Sequence, residues 1–275
     1  MKKVALKNTL AFALFLAGMT ALQAMAHISY SGRDFGSFTG AFAQSQTITN
    51  QSFTGRHGWV DGTDADWGDS HRLRAYRFHL DNEADVTISF QDQAFTTSTG
   101  ASVLGGINAG FTLYSGLAHT APLAADYDFA VGSEAIRDAI AGAGNTEGSF
   151  RALTTWSLTN DDNDPASVFT YVGHAYDGSV DYGSGVIAGG DGVADNFVSQ
   201  TFHLAAGDYT IFVGGTDYSD QVAPWSSYGV EGMVSVVPEP EIYAMLLAGL
   251  GLVGFAAKRR RIAQGESGNI NPAYC

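Results

Sequence analysis

The sequence predicts an all-β fold, a sandwich or jelly roll with one short helix, held between two helical end segments. Three observations support this. Glycine is abundant (34) and proline scarce (6) in 275 residues. Each glycine in a helix interior costs about 1 kcal/mol, so long helices in the body are disfavoured. Short segments alternate apolar and polar residues with the two-residue period of a strand. Gly, Asp and Asn cluster between those segments, which is turn chemistry.

The chain opens with "MKKVALKNTLAFALFLAGMTALQAMA". Lys2, Lys3 and Lys7 form a basic start, Leu10 to Leu22 is apolar, and Ala24-Met25-Ala26 offers a small-residue cleavage site. This pattern predicts a secretory signal helix over residues 1–26, removed by signal peptidase to leave His27 first. The apolar run falls short of the ~20 residues that a membrane span needs.

The body, residues 27–237, carries the strands. "YRFHL" (Tyr76–Leu80) and "VTISF" (Val86–Phe90) alternate cleanly. "GFTLYSG" (Gly110–Gly116), "VFTYVG" (Val168–Gly173), "NFVSQTFHL" (Asn196–Leu204), "DYTIFVGG" (Asp208–Gly215) and "GMVSVV" (Gly232–Val237) follow. "SEAIRDAIA" (Ser133–Ala141) is the one helix expected in the body, with Ala135, Ile136, Ala139 and Ile140 as its apolar face. Strands without regular intervening helices argue for a sandwich.

Charge and cysteine usage narrow the chemistry. The net charge is −14. Lys2, Lys3, Lys7 and Lys258 to Arg261 all lie in the end segments, so Arg33, Arg56, Arg72, Arg74, Arg77, Arg137 and Arg151 are the body's only Lys or Arg. Against them stand about 25 carboxylates, mostly Asp. Such a field repels nucleic acid and attracts divalent cations. The one cysteine, Cys275, is the last residue. The exported body therefore holds no disulfide, and any stapling comes from packing or metal ions.

The end of the chain reads "VPEPEIYAMLLAGLGLVGFAAKRRR", Val237 to Arg261. The apolar run from Ile242 to Ala257 would make a helix of ~24 Å, marginal for crossing a bilayer. Lys258, Arg259, Arg260 and Arg261 would face the cytoplasm by the positive-inside rule, which leaves the body outside. Pro238-Glu239-Pro240, a short Leu/Gly/Ala helix and a basic cluster, in that order, resemble the PEP-CTERM sorting signal of Gram-negative bacteria. The resemblance implies handling by an exosortase at the inner membrane, removal of the tail (residues 238–261), and delivery to the cell surface or an extracellular matrix. Residues 262–275, polar and rich in Gly and Asn, are expected to lack structure. In the body, the succession "AYRFHL", "ADVTISF", "FTLYSG" and "AGDYTIFVGG" resembles the pre-peptidase C-terminal-like β-sandwich domains, over about Arg72 to Val237.

Carboxylates supply the candidate metal ligands. Asp61, Asp64, Asp66 and Asp69 crowd the Gly-containing loop "DGTDADWGDSH". Short side chains at such spacing can converge on calcium, or can cap backbone amides in solvated turns. Asp177, Asp181, Asp191 and Asp195 form a second cluster, and "NDDND" (Asn160–Asp164) a third.

No nucleophile elbow, zincin motif or nucleotide-binding glycine pattern is present, and the abundance of Asp makes any one pair of carboxylates uninformative about hydrolysis. Three function classes follow. The first is a non-enzymatic surface or matrix protein stabilised by calcium. The second is a copper-binding protein in which His27, as the mature amino terminus, chelates through its amine and imidazole. Its partner would be one of His57, His71, His79, His119, His174 and His203. The third is a module that binds or acts on extracellular polysaccharide, through Trp59, Trp67, Trp156 or Trp225, although core packing is the commoner use of such rings.

Overall fold

The computed structural model describes residues 28–60, 66–70, 72–118, 149–158, 167–183, 185–217, 219, 225–237 and 240–266. The expected signal segment with His27, the expected helix Ser133–Ala141, Asp61, Asp64, His71, His119, Asn160–Asp164, Pro238 and Glu239 lie outside them.

The described strands, in chain order, are β1 (Asp34–Phe38), β2 (Gln44–Thr54), β3 (Trp67–Asp69), β4 (Arg74–Leu80), β5 (Ala84–Asp92), β6 (Phe95–Thr96) and β7 (Ser102–Val103). They continue with β8 (Ala109–Ser115), β9 (Ser149–Arg151), β10 (Trp156–Leu158), β11 (Ser167–Tyr176), β12 (Phe197–Leu204), β13 (Gly207–Gly215) and β14 (Ser227–Val237). One helix, α1 (Pro240–Glu266), follows. A six-stranded sheet runs β1-β4-β13-β8-β11-β10, and a four-stranded sheet runs β12-β5-β14-β2. Pairing is antiparallel except for β1, which joins β4 in parallel. The fold is the expected all-β sandwich.

Two cores result. The inner faces of both sheets bury Tyr76, Phe78 and Leu80 of β4, Val86, Ile88 and Phe90 of β5, Phe111 and Leu113 of β8, and Val234 and Val236 of β14. This is the alternation that the sequence displays on β4 and β5. A second cluster covers the outer face of the larger sheet. Tyr114, Phe169, Phe212 and Trp156 pack there against Phe150 of β9 and against Ile28, Trp59 and Tyr182 from the connecting segments. Phe212 stands edge-on to Trp156 and Phe169 at centroid distances of 5.3 and 5.2 Å, the geometry that aromatic quadrupoles favour. Strands β8 and β13 are thus buried on both faces.

Close approach sets two glycines. A Cβ at Gly110 would stand 2.4 Å from the Trp59 ring, and one at Gly215 would stand 1.9 Å from the Arg56 carbonyl oxygen. Segment 56–60 lies across the ends of β8 and β13 because these strands present no side chain there. Trp59 then donates its indole N–H to Thr112 Oγ1 at 2.9 Å.

Helix α1 continues through Ile262–Glu266, residues expected to lack structure. Ile, Ala and Gln follow the basic cluster with no breaker before Gly265, so the backbone extends the helix. Along it Met245, Leu247, Leu250, Leu252, Val253 and Phe255 are exposed. Among the described residues no helix is long and apolar enough to cross a membrane. The transmembrane helix expected there is therefore not shown; an apolar run of ~24 Å interrupted by glycine falls short of a ~30 Å hydrocarbon core.

Candidate metal centre

Strand β11 ends at Tyr176, and the chain returns to β12 through a long loop. Asp177, fully buried, is the first residue of that loop. Its Oδ1 accepts the Asp195 N–H at 3.0 Å and its Oδ2 the Asn196 N–H at 2.7 Å, which ties the start of the loop to its end. Asp191 Oδ1 accepts the N–H groups of Gly178 (2.8 Å) and Val193 (3.1 Å). Asp195 Oδ1 accepts the Phe197 N–H at 3.3 Å. Asn196 takes a left-handed φ of 64°, which Asn tolerates better than most residues.

These bonds turn three carboxylates toward one another. One oxygen each from Asp177, Asp191 and Asp195 lies within 4.8 Å of the others. Burial pushes the Asp177 carboxyl up to about 6 against the pull of its two amide donors, and the negative charges of Asp191 and Asp195 raise it further. Asp181 does not join them. Its Oδ1 accepts the Gly183 and Gly185 N–H groups in a local turn. The three converging residues suit a hard cation: all donors are oxygens, a carboxylate oxygen keeps a lone pair after accepting one N–H, and water can complete six to eight ligands.

The other described acidic loop is built differently. Asp66 Oδ1 accepts the Leu153 N–H at 2.8 Å. Its Oδ2 accepts Arg151 Nη1 at 2.8 Å and Thr154 Oγ1 at 2.7 Å. Asp69 faces Arg72 Nε at 3.5 Å. Both carboxylates therefore have a guanidinium partner, and that of Asp66 ties the 149–154 segment down.

The described histidines are scattered. His57 is buried beside the Trp225 ring. His174 packs on Trp59 and places Nε2 2.6 Å from the Ala188 carbonyl; burial lowers its pKa. His79 lies between Asp208 (2.7 Å) and Asp81 (3.4 Å), and His203 between Glu83 (2.7 Å) and Asp85 (3.0 Å). Among the described residues, Asp177, Asp191 and Asp195 are the one group of three or more metal-ligating side chains that converge. Trp59 and Trp156 are core residues, fully buried or nearly so, and cannot stack on a sugar. The Arg72 guanidinium lies 3.8 Å above the Trp225 ring.

Comparison with known proteins places the sorting signal. Residues 236–261 match the PEP-CTERM protein-sorting motif. The match implies export and sorting to the cell surface, and processing by an exosortase. Of this signal, Pro240 begins α1, and Lys258 and Arg259 lie on it. No curated protein matches the chain. Among solved structures, CorA, a surface-associated copper-binding protein important in copper acquisition by Methylomicrobium album BG8, aligns at 13% identity and a TM-score of 0.46, over 76% of this chain and 98% of that one. MopE, a secreted protein of Methylococcus capsulatus in which an oxidized tryptophan facilitates copper binding, aligns at 15% identity and a TM-score of 0.39, over 75% of this chain and 87% of that one. At such scores copper binding stays a property of those two proteins. These matches indicate no enzyme family, and the likeness to pre-peptidase C-terminal-like domains is not among what they show.

Proposed function

We propose that this is a non-enzymatic surface or matrix protein: exported, carried to the outside by its carboxy-terminal signal, and stabilised there by calcium. The observation that carries the reading is the sorting motif at residues 236–261. In this reading residues 1–26 are removed on export, residues 27–237 are the mature body, and the tail from Pro238 onward resides at the inner membrane only until an exosortase removes it. The exposed apolar side chains of α1 support that brief residence, because nothing among the described residues of the body covers them. Replacing Pro238-Glu239-Pro240 by alanines should hold the protein in the inner membrane fraction with its tail intact. Wild-type surface material that retained the tail would overturn the reading.

Calcium would bind at Asp177, Asp191 and Asp195. Three carboxylates gathered without a basic partner repel one another; two unit charges ~4 Å apart cost roughly 4 kcal/mol at a surface-like effective dielectric of 20. A divalent cation turns that repulsion into attraction. Asp61, Asp64, Asp66 and Asp69 are the alternative site, but Asp66 and Asp69 support it less, being matched by Arg151 and Arg72. Elemental analysis of the mature protein tests calcium. The same measurement reads copper, which the alternative through His27 requires.

A further inference from the structure

An open sheet edge is a row of unpaired backbone groups that invites another strand. The two main sheets end at β1 and β10 in the larger and at β12 and β2 in the smaller. Three of these edges are guarded by devices that native sheets commonly use. Strand β10 has three residues and β1 five, with the ion pair of Asp34 and Arg77 where β1 starts. Strand β12 lies against β11, so closely that a Cβ at Gly173 would stand 2.7 Å from the Phe202 ring. Strand β2 is the exception. It runs for eleven residues, and among the described residues β14 is the only strand hydrogen-bonded to it. Gln44 Oε1 accepts the Thr39 N–H at 2.9 Å, and Gln51 Oε1 faces Arg33 Nη1 at 3.4 Å. Between these two ties Ser45, Gln46 and Thr47 are exposed.

The chemistry of this edge is as unusual as its length. In a chain of net charge −14, no charged residue and no proline stands between Asp34 and Arg56. The ladder also shows which backbone groups are open. Along β14, Gly229 turns its N–H to the Leu104 carbonyl and its carbonyl to the Gln93 N–H, away from β2. Backbone groups alternate along a strand, so Gly232, Val234 and Val236 turn toward β2, where they pair with Ile48, Gln46 and Gln44. Ser45 and Thr47 are left with their N–H and C=O groups aimed outward. The regular stretch ends at the bulge before Gln51, where Asn50 takes a φ of 57°.

We propose that β2 is a self-association edge: residues 44–48 of two copies pair antiparallel about a two-fold axis at Gln46, joining their smaller sheets into one. In this register Ser45 stands opposite Thr47 of the second copy, and Gln46 opposite Gln46. The outward groups of Ser45 and Thr47 then make about four backbone hydrogen bonds across the axis. Their hydroxyls meet on one face of the joined sheet, as those of Thr87 and Thr201 do within the chain at 2.8 Å. The charges favour a second copy as the occupant. Two chains this acidic repel wherever carboxylates face each other, and along β2 none do. A two-fold interface must be complementary to itself, which a neutral strand of hydroxyls and amides is. A basic partner would gain nothing from an edge without charge.

Sedimentation of the exported protein, in chelator and in calcium, tests this independently of sorting and of the metal site. A contact this small is weak, so a monomer–dimer equilibrium with a Kd of roughly 0.1 mM is expected in both buffers. Gln46→Lys and Gln46→Glu each set like charges opposite one another across the axis, and each should weaken association roughly 10-fold. An equimolar mixture of the two sets Lys against Glu and should bind at least as tightly as wild type. Gln46 is exposed, so both variants should melt with the wild-type protein. Melting curves identify one that does not, and Thr47→Lys, at the next exposed position, then takes its place with the same expected loss. The proposal is overturned by a protein that stays monomeric up to about 1 mM, by association in calcium alone, by an affinity unchanged in the charged variants, or by a mixture no tighter than either variant by itself.

Discussion

The two described acidic loops have similar compositions and opposite fates. In the segment at β3, the Asp66 carboxylate meets Arg151, the Leu153 N–H and the Thr154 hydroxyl, and Asp69 meets Arg72. In the loop after β11, Asp177, Asp191 and Asp195 meet only backbone N–H groups and one another. Acidity alone therefore does not define a cation site. What decides is where the few arginines go: two are spent on the first loop and none on the second. The first loop is held by charges within the chain, while the second is the loop for which we propose an ion.

The comparison breaks most sharply at Asp66. Asp66→Ala removes the ion pair with Arg151 and the acceptor of the Leu153 amide, and should cost about 3 kcal/mol, a fall of roughly 6–12 °C in Tm for a domain of this size. The loss should be equal in calcium and in chelator. A loss confined to calcium buffer would make the first loop the ion site after all.

Calcium itself is the next largest effect. At 100 times its Kd an ion adds ~2.7 kcal/mol, so Tm should rise by roughly 5–10 °C from chelator to millimolar calcium. Asp191→Asn with Asp195→Asn should remove most of that rise, and magnesium, which keeps its own waters and demands a tighter octahedron, should give much less. Identical melting curves in calcium and chelator would leave both loops as ordinary turns.

A pH series in chelator sharpens the second loop. The folded state raises the Asp177 pKa from 3.8 to about 6, so the native chain holds this proton to higher pH than the unfolded chain does. This group's contribution is therefore greatest below pH ~4, declines as pH rises through the interval to about 6, and is level above it. The decline amounts to at most about 3 kcal/mol. Asp177→Asn should flatten it relative to wild type, and a variant with an unchanged slope would place the titration elsewhere. The smallest effect belongs to an exposed pair. Arg77→Ala, which removes the ion pair with Asp34, should cost about 0.5 kcal/mol or less in urea unfolding.

The strands with regular alternation were legible in the sequence, and so was part of the second acidic grouping: of Asp177, Asp181, Asp191 and Asp195, all but Asp181 converge. Strand β2 was not. "QSQTITNQSFT" shows no apolar period, and it becomes a strand through its antiparallel ladder with β14. The second core was hidden for another reason: Ile28, Trp59, Phe150 and Tyr182 come from four distant segments, and no local pattern links them. The same holds for the partner of Asp66: Arg151 stands 85 residues from it, and no local pattern brings the two together.

The position of β14 bears on how the body can be assembled. This strand lies between β5 and β2 and hydrogen-bonds to both along most of its length. It is also the last described strand of the body, ending at Val237, directly before Pro238-Glu239-Pro240. A chain that emerges amino terminus first delivers β2 and β5 early. They must then wait, two strand spacings apart (about 9.5 Å), with no backbone partner between them. The smaller sheet closes only when the final strand slots in. Maturation is therefore ordered by geometry: the segment that completes the sheet and the segment to be cut away arrive together, so an enzyme that severed the chain a few residues early would release a sandwich with its middle missing.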